Sequence, residues 1–144
     1  MKAKYLYILI ILLGFVGCSK DYPGDSYDFS NSTNPYVEFK STKISVSAPS
    51  TFTVTVRLRT AISSGPTTVG YELSGALSGT GTVVIDRNKI EGVSSAISVP
   101  VEVLNGSSSA SATVKLVSAK NNTLNIDLGR NSTGNQAVVT IKAK

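Results

Sequence analysis

Between Thr51 and Thr60 every second side chain is apolar, with Phe52, Val54, Val56 and Leu58 alternating with Thr53, Thr55, Arg57 and Arg59. A period of two puts the two sets on opposite sides of an extended backbone, whereas an amphipathic helix needs apolar residues three or four apart. The pattern recurs over Thr67–Ser74 with Val69, Tyr71 and Leu73, and over Ala112–Ala119 with Ala112, Val114 and Leu116. Over Ala96–Leu104 it predicts Ile97, Val99, Val101 and Val103 facing inward. Pro100 lies inside that run and cannot donate to a ladder, so the strand is expected at an edge or with a bulge. Tyr36–Lys40 and Lys43–Ala48 read as a first strand broken in its middle, and Ala137–Lys142 as the last. Thr82–Asp86 is a short apolar run, and Asn121–Gly129 offers one further piece through Leu124, Ile126 and Leu128. Arg87–Gly92 has room for one turn, and no stretch carries a helical period.

Composition agrees with an all-β chain. Among 144 residues, Ser and Thr number 35 and Val 16, while charged residues make up only 16%, against roughly 25% in an average soluble domain. Breaks fall where Gly, Ser and Asn cluster: 63–66, 74–81, 105–109 and 131–135. About seven strands with such turns predict a single immunoglobulin-like β-sandwich over residues 36–144. The Trp and the disulfide of antibody domains are absent, since the chain has no Trp and one Cys.

The N-terminus reads as an export signal. Lys2 and Lys4 precede an apolar run from Tyr5 to Val16 that closes on Gly17-Cys18. That run is shorter than the roughly 20 residues a membrane-spanning helix requires. Phe15-Val16-Gly17-Cys18 resembles a bacterial lipobox, with Phe15 where Leu is usual. The resemblance implies cleavage between Gly17 and Cys18 and acylation of Cys18, after a lipoprotein signal peptide over residues 1–17. Several acyl chains on one residue hold stably where a single chain holds weakly. Lipidation also accounts for the lone Cys, because an exported protein with a free thiol meets oxidising compartments.

Ser19-Lys20-Asp21 resembles the surface-export signal of Bacteroidota-type lipoproteins, in which acids follow the Cys. It implies an outer-membrane protein, lipid-anchored and exposed at the cell surface. Residues 18–35, punctuated by Pro23, Gly24 and Pro35, read as a flexible acidic tether carrying Asp21, Asp25 and Asp28. Loss of Lys2 and Lys4 lowers the net charge from +5 to +3, with 12 basic residues facing 9 acidic ones.

The strand succession from Thr51 to Asn105, together with the ending ATVKLVSAKNNTLNIDLG and AVVTI, is similar to Calx-β-like domains. Calcium-binding members of that family cluster acids at one end of the sandwich. Here Glu38, Glu72, Asp86, Glu91, Glu102 and Asp127 are dispersed, so no metal site carries over, since calcium takes six to eight oxygen ligands. With no His and one Cys, zinc sites and Ser-His-Asp or Cys-His catalysis are excluded. Neither a facing carboxylate pair nor a phosphate loop stands out. No catalytic residue and no cofactor are therefore expected.

Basic residues of the body are spread over many segments, and only Arg57 and Arg59 share a strand face, so no nucleic-acid partner is expected. Tyr36, Phe39, Phe52 and Tyr71 fall in strands and are expected to pack in the core. Tyr22, Tyr27 and Phe29 lie on the tether. Asn-x-Ser/Thr triplets begin at Asn31, Asn105, Asn121 and Asn131 and read as turn residues. Two functional expectations remain. One is a non-catalytic surface interaction or scaffold module, accessory to an outer-membrane complex and reaching the membrane through acylated Cys18. The other is a glycan-binding lipoprotein of a polysaccharide-uptake system. No ligand-binding residue is singled out for either.

Overall fold

A computed structural model describes residues 34–60, 65–122, 124–130 and 134–144. Eleven strands run through them. They are β1 Tyr36–Phe39, β2 Lys43–Ala48, β3 Ser50–Phe52, β4 Thr55–Leu58, β5 Thr67–Gly75 and β6 Gly79–Ile85, then β7 Glu91–Val93, β8 Ile97–Val99, β9 Ser109–Asn121, β10 Asp127–Leu128 and β11 Gln136–Ala143. A 3-10 turn over Val101–Leu104 is the one helical element among the described residues.

Sheet I has the order β10-β1-β4-β7, and sheet II the order β2-β11-β9-β5-β6. The broken first strand predicted from the sequence divides between them. β1 pairs antiparallel with β4, and β2 runs parallel to β11 over six residue pairs, from Lys43–Val138 to Ala48–Ala143. The inner faces meet in one core, with Val37, Phe39, Val56 and Leu58 from sheet I against Val69, Val114, Leu116 and Ile141 from sheet II. Burying a Val or Leu side chain contributes about 1.5–3 kcal/mol. The molecule is an all-β sandwich, as the alternation predicts.

The strand predicted over Thr51–Thr60 appears as β3 and β4, with Phe52, Val54, Val56 and Leu58 all buried. The pairs β3–β8 and β4–β7 form one ladder interrupted by a bulge. Between Phe52–Ile97 and Thr55–Val93 lie two residues on one strand and three on the other. Ser94 closes this gap. Its N–H donates to the Val54 carbonyl at 2.9 Å, and the Val54 N–H donates to its Oγ at 3.0 Å. The side-chain oxygen thus serves as the acceptor that the bulged backbone cannot offer.

Three sequence expectations need correction. The run Ala96–Leu104 is not one strand. β8 stops at Val99, and Pro100, lacking an N–H, precedes the 3-10 turn. Val101 is consequently exposed and Val103 half-buried, while Leu104 is the residue that turns inward. Second, Arg87–Gly92 contains more than a turn. After a turn in which the Lys89 N–H donates to the Asp86 carbonyl, Glu91 opens β7. Third, β9 continues beyond Ala119 to Asn121. A bulge at Val117 shifts the register with β5 between Gly70 and Tyr71, which brings Ala119 and Asn121 to the inner face. The extra chain breaks raise the strand number above the seven expected.

Two glycines permit close approaches. A Cβ on Gly92 would lie 2.5 Å from the Val84 carbonyl oxygen, where β7 meets β6 and the two sheets converge. A Cβ on Gly81 would lie 2.3 Å from the hydroxyl of Tyr71, its cross-strand neighbour, so the missing side chain makes room for the buried ring.

Candidate functional site

The two outer faces of the sandwich differ in chemistry. On sheet I, Glu38, Arg57 and Glu91 stand in one row across β1, β4 and β7. Alternation sends their side chains outward because Val37, Val56 and Gly92 beside them point in. Arg57 donates from both Nε and Nη2 to Glu91 Oε1, at 3.0 and 2.6 Å. Lys40 Nζ donates to Glu91 Oε2 at 2.9 Å, and Arg59 Nε donates to Glu38 Oε1 at 2.6 Å. Lys40 and Arg57, hydrogen-bonded to Glu91, hold its carboxyl below the usual glutamate range. Three cations and two carboxylates are thereby tied into two groups, Lys40–Glu91–Arg57 and Arg59–Glu38. The basic pair that the sequence places on one strand face, Arg57 and Arg59, is occupied by these carboxylates.

The outer face of sheet II is built from Ser, Thr and Lys. Ser45, Thr140 and Ser111 form a hydroxyl row across β2, β11 and β9. Beside it runs the row Lys43, Val138, Thr113 and Ser74, followed by Gln136, Lys115, Glu72 and Thr80. On the opposite flank Lys142 stands between Ser47 and Ser109. Past the Val117 bulge, Lys120 pairs in register with Thr68. Lys43, Lys115, Lys120 and Lys142 are all exposed, and no ion pair among the described residues engages them. Glu72, next to Lys115 in register, is the one carboxylate among these rows. Where β2 meets β11, Thr42, Lys43, Gln136, Val138 and Thr140 line an open groove of about 580 Å³.

This convergence was hidden in the chain. Lys43 and Lys142 are far in sequence from Lys115 and Lys120 of β9, and only the pairing of β2, β11 and β9 collects all four. The signal available was the polar half of each alternating strand, which carries Ser, Thr and Lys in place of further acids. The ion pairing on sheet I was missed for a simpler reason, since Glu91 belongs to a strand that the sequence reading assigned to a turn.

The aromatic expectation holds for Phe39, Phe52 and Tyr71, which are buried in the core; Tyr36 corrects it, lying half-buried on the outward side of β1 in line with Glu38. Among the described residues no aromatic ring lies exposed as a stacking platform. Nor do three or more His, Cys, Asp or Glu side chains gather there for a metal ion.

Asn121, 7% exposed, donates from Nδ2 to the carbonyls of Gly65 and Pro66 at 2.9 and 3.2 Å. It therefore fastens the chain entering β5 to the end of β9. Asn105 occupies a left-handed turn with φ of 46°. Asn31 and Asn131 lie outside the described residues, as do Gly17, Cys18, Ser19, Lys20, Asp21 and the tether aromatics Tyr22, Tyr27 and Phe29. Among the described residues no helix is long and apolar enough to cross a membrane. Neither a protein-family model nor a curated protein matches this chain.

Proposed function

We propose that the protein is a lipid-anchored cell-envelope module that acts by binding, held in the outer membrane through acylated Cys18 and displayed at the cell surface. In this reading residues 1–17 are the lipoprotein signal, Ser19-Lys20-Asp21 the export signal, and the sandwich an immunoglobulin-like scaffold accessory to a larger complex. The motif Phe15-Val16-Gly17-Cys18 supports the anchor. The observation that carries the binding role is the contrast between the faces. Across β1, β4 and β7, Glu38, Arg57 and Glu91 are paired within the sheet I face, while sheet II leaves lysines and hydroxyls open to a partner.

The second reading, a glycan-binding lipoprotein of a polysaccharide-uptake system, draws support from the same open face, since hydroxyl and ammonium groups are natural hydrogen-bond partners for sugars. Two experiments test the proposal. Cys18→Ser is expected to abolish acyl labelling and release the protein from membranes; a variant that stays membrane-bound and labelled would refute the anchor. Crosslinking on intact cells followed by affinity purification is expected to recover an outer-membrane component or bound polysaccharide, and recovery of neither removes the binding role.

A further inference from the structure

We infer that the outer face of sheet II is a docking surface for an acidic polysaccharide, one bearing carboxylate or sulfate groups along a hydroxyl-rich chain. The inference rests on the glycan reading above and narrows its ligand class. Charge complementarity is the first reason. Lys43, Lys115, Lys120 and Lys142 lie on three neighbouring strands of one sheet with no ion pair of their own, and Glu72 is the only opposing carboxylate in the rows that hold them. Strand spacing of about 4.8 Å and a rise of about 3.4 Å per residue put successive lysines on the order of 12–14 Å apart. Long, flexible stems let each ammonium reach an anion that is not placed in perfect register.

The second reason is what lies between the lysines. Ser45, Thr140 and Ser111 form an unbroken hydroxyl row, and the groove at β2 and β11 sets Thr42, Gln136 and Thr140 around Lys43. A sugar acid held there meets an ammonium for its charge and hydroxyl or amide groups for its own hydroxyls. Ionised acceptors strengthen such bonds. This mode needs no aromatic platform, in keeping with the burial of Phe39, Phe52 and Tyr71.

An anionic membrane surface would also attract four lysines. On lipid, however, the attraction is to the ammonium groups alone, and the row of Ser45, Thr140 and Ser111 between them goes unused. Here the large exposed apolar residues on sheet II, Val84, Val117 and Val138, sit on three different strands rather than forming a stripe. The face therefore favours the glycan.

The test uses the full chain in detergent, applied at low ionic strength to immobilised polygalacturonate, chondroitin sulfate and neutral dextran, and mixed with phosphatidylglycerol vesicles. Retention is expected on at least one acidic polymer, declining as salt rises because these contacts are exposed and screened. The double variant Lys43→Gln/Lys142→Gln should bind roughly tenfold more weakly, whereas Arg87→Gln/Lys89→Gln, which removes the same charge from a turn outside sheet II, should change binding less than about twofold. Circular dichroism verifies that both remain folded. Equal losses in the two variants would reduce the effect to net charge and overturn the inference. Stronger association with the vesicles than with either acidic polymer would assign the face to lipid and overturn it too. Retention on dextran alone overturns the acidic ligand but leaves glycan binding standing, and retention on no polymer removes both.

Discussion

The two outward faces of this sandwich spend their charges differently. Across β1, β4 and β7, two carboxylates hold three cations in hydrogen-bonded pairs, with side-chain exposures of 30% for Arg57 and 31% for Glu91. Across β2, β11 and β9, four lysines stand in a field of hydroxyls and are exposed without ionic partners. Both faces ride on the same core and follow the same alternation. What separates them is whether opposite charges occupy adjacent positions in the strand register. On sheet I they do, and the charge becomes part of the structure. On sheet II they mostly do not, and it stays available to a ligand.

Changes to the framework that both faces share should have the largest effects. Gly92→Ala places a methyl group against the Val84 backbone, which has no side-chain end to swing away. We expect a loss of about 2–3 kcal/mol, read from chemical denaturation. An unchanged denaturation midpoint would mean that β6 and β7 do not meet as described. Ser94→Ala should follow, at about 1–3 kcal/mol, because it strips the buried Val54 N–H of its acceptor. Ser94→Thr, which keeps the hydroxyl, should recover much of that loss.

Next come the charges themselves. Arg57→Met should destabilise the fold beyond the scatter of ordinary surface substitutions, since Glu91 loses two hydrogen bonds and Arg57 no longer separates Glu38 from Glu91. The same ion pairs set a pH dependence. The folded-state pKa of Glu91 lies below its unfolded value. Its contribution is therefore complete above the unfolded pKa and disappears as pH falls through the folded one. Denaturation midpoints followed from neutral to acid pH should decline less steeply in Glu91→Gln than in the parent chain. Parallel curves would show that the ion pairs do not form in solution. The smallest effects belong to sheet II, where Lys43→Gln or Lys142→Gln should alter stability by less than about 0.5 kcal/mol. A larger loss would make those lysines structural and erase the contrast.

Much of the framework was readable in advance from particular residues. Phe52, Val54, Val56 and Leu58 declare one face of a strand by their spacing alone, and the break between Lys40 and Lys43 marks the crossing between sheets. Elsewhere the period misleads. Val101 and Val103 continue the alternation of Ile97 and Val99, yet Pro100 ends the ladder and a 3-10 turn follows. Glu91–Val93 is too short, and Gly92 too neutral, to announce a strand. Its pairing with β4 is what makes it one. The open face was illegible for a related reason. A strand's polar residues look alike in one dimension, and only the register decides which lysine finds a glutamate beside it.

The division of the first strand bears on how the molecule would carry a load. β2 lies parallel to β11, so the second strand and the last run side by side in the same direction. Tension drawing the N-terminal side of β2 away from the C-terminus would not peel this pair apart one bond at a time. It would shear the whole six-pair register at once. β2 is also a strand of the lysine and hydroxyl face. Once β1 has come away, a pull passed on to β2 and resistance from anything held on that face would thus meet within a single strand.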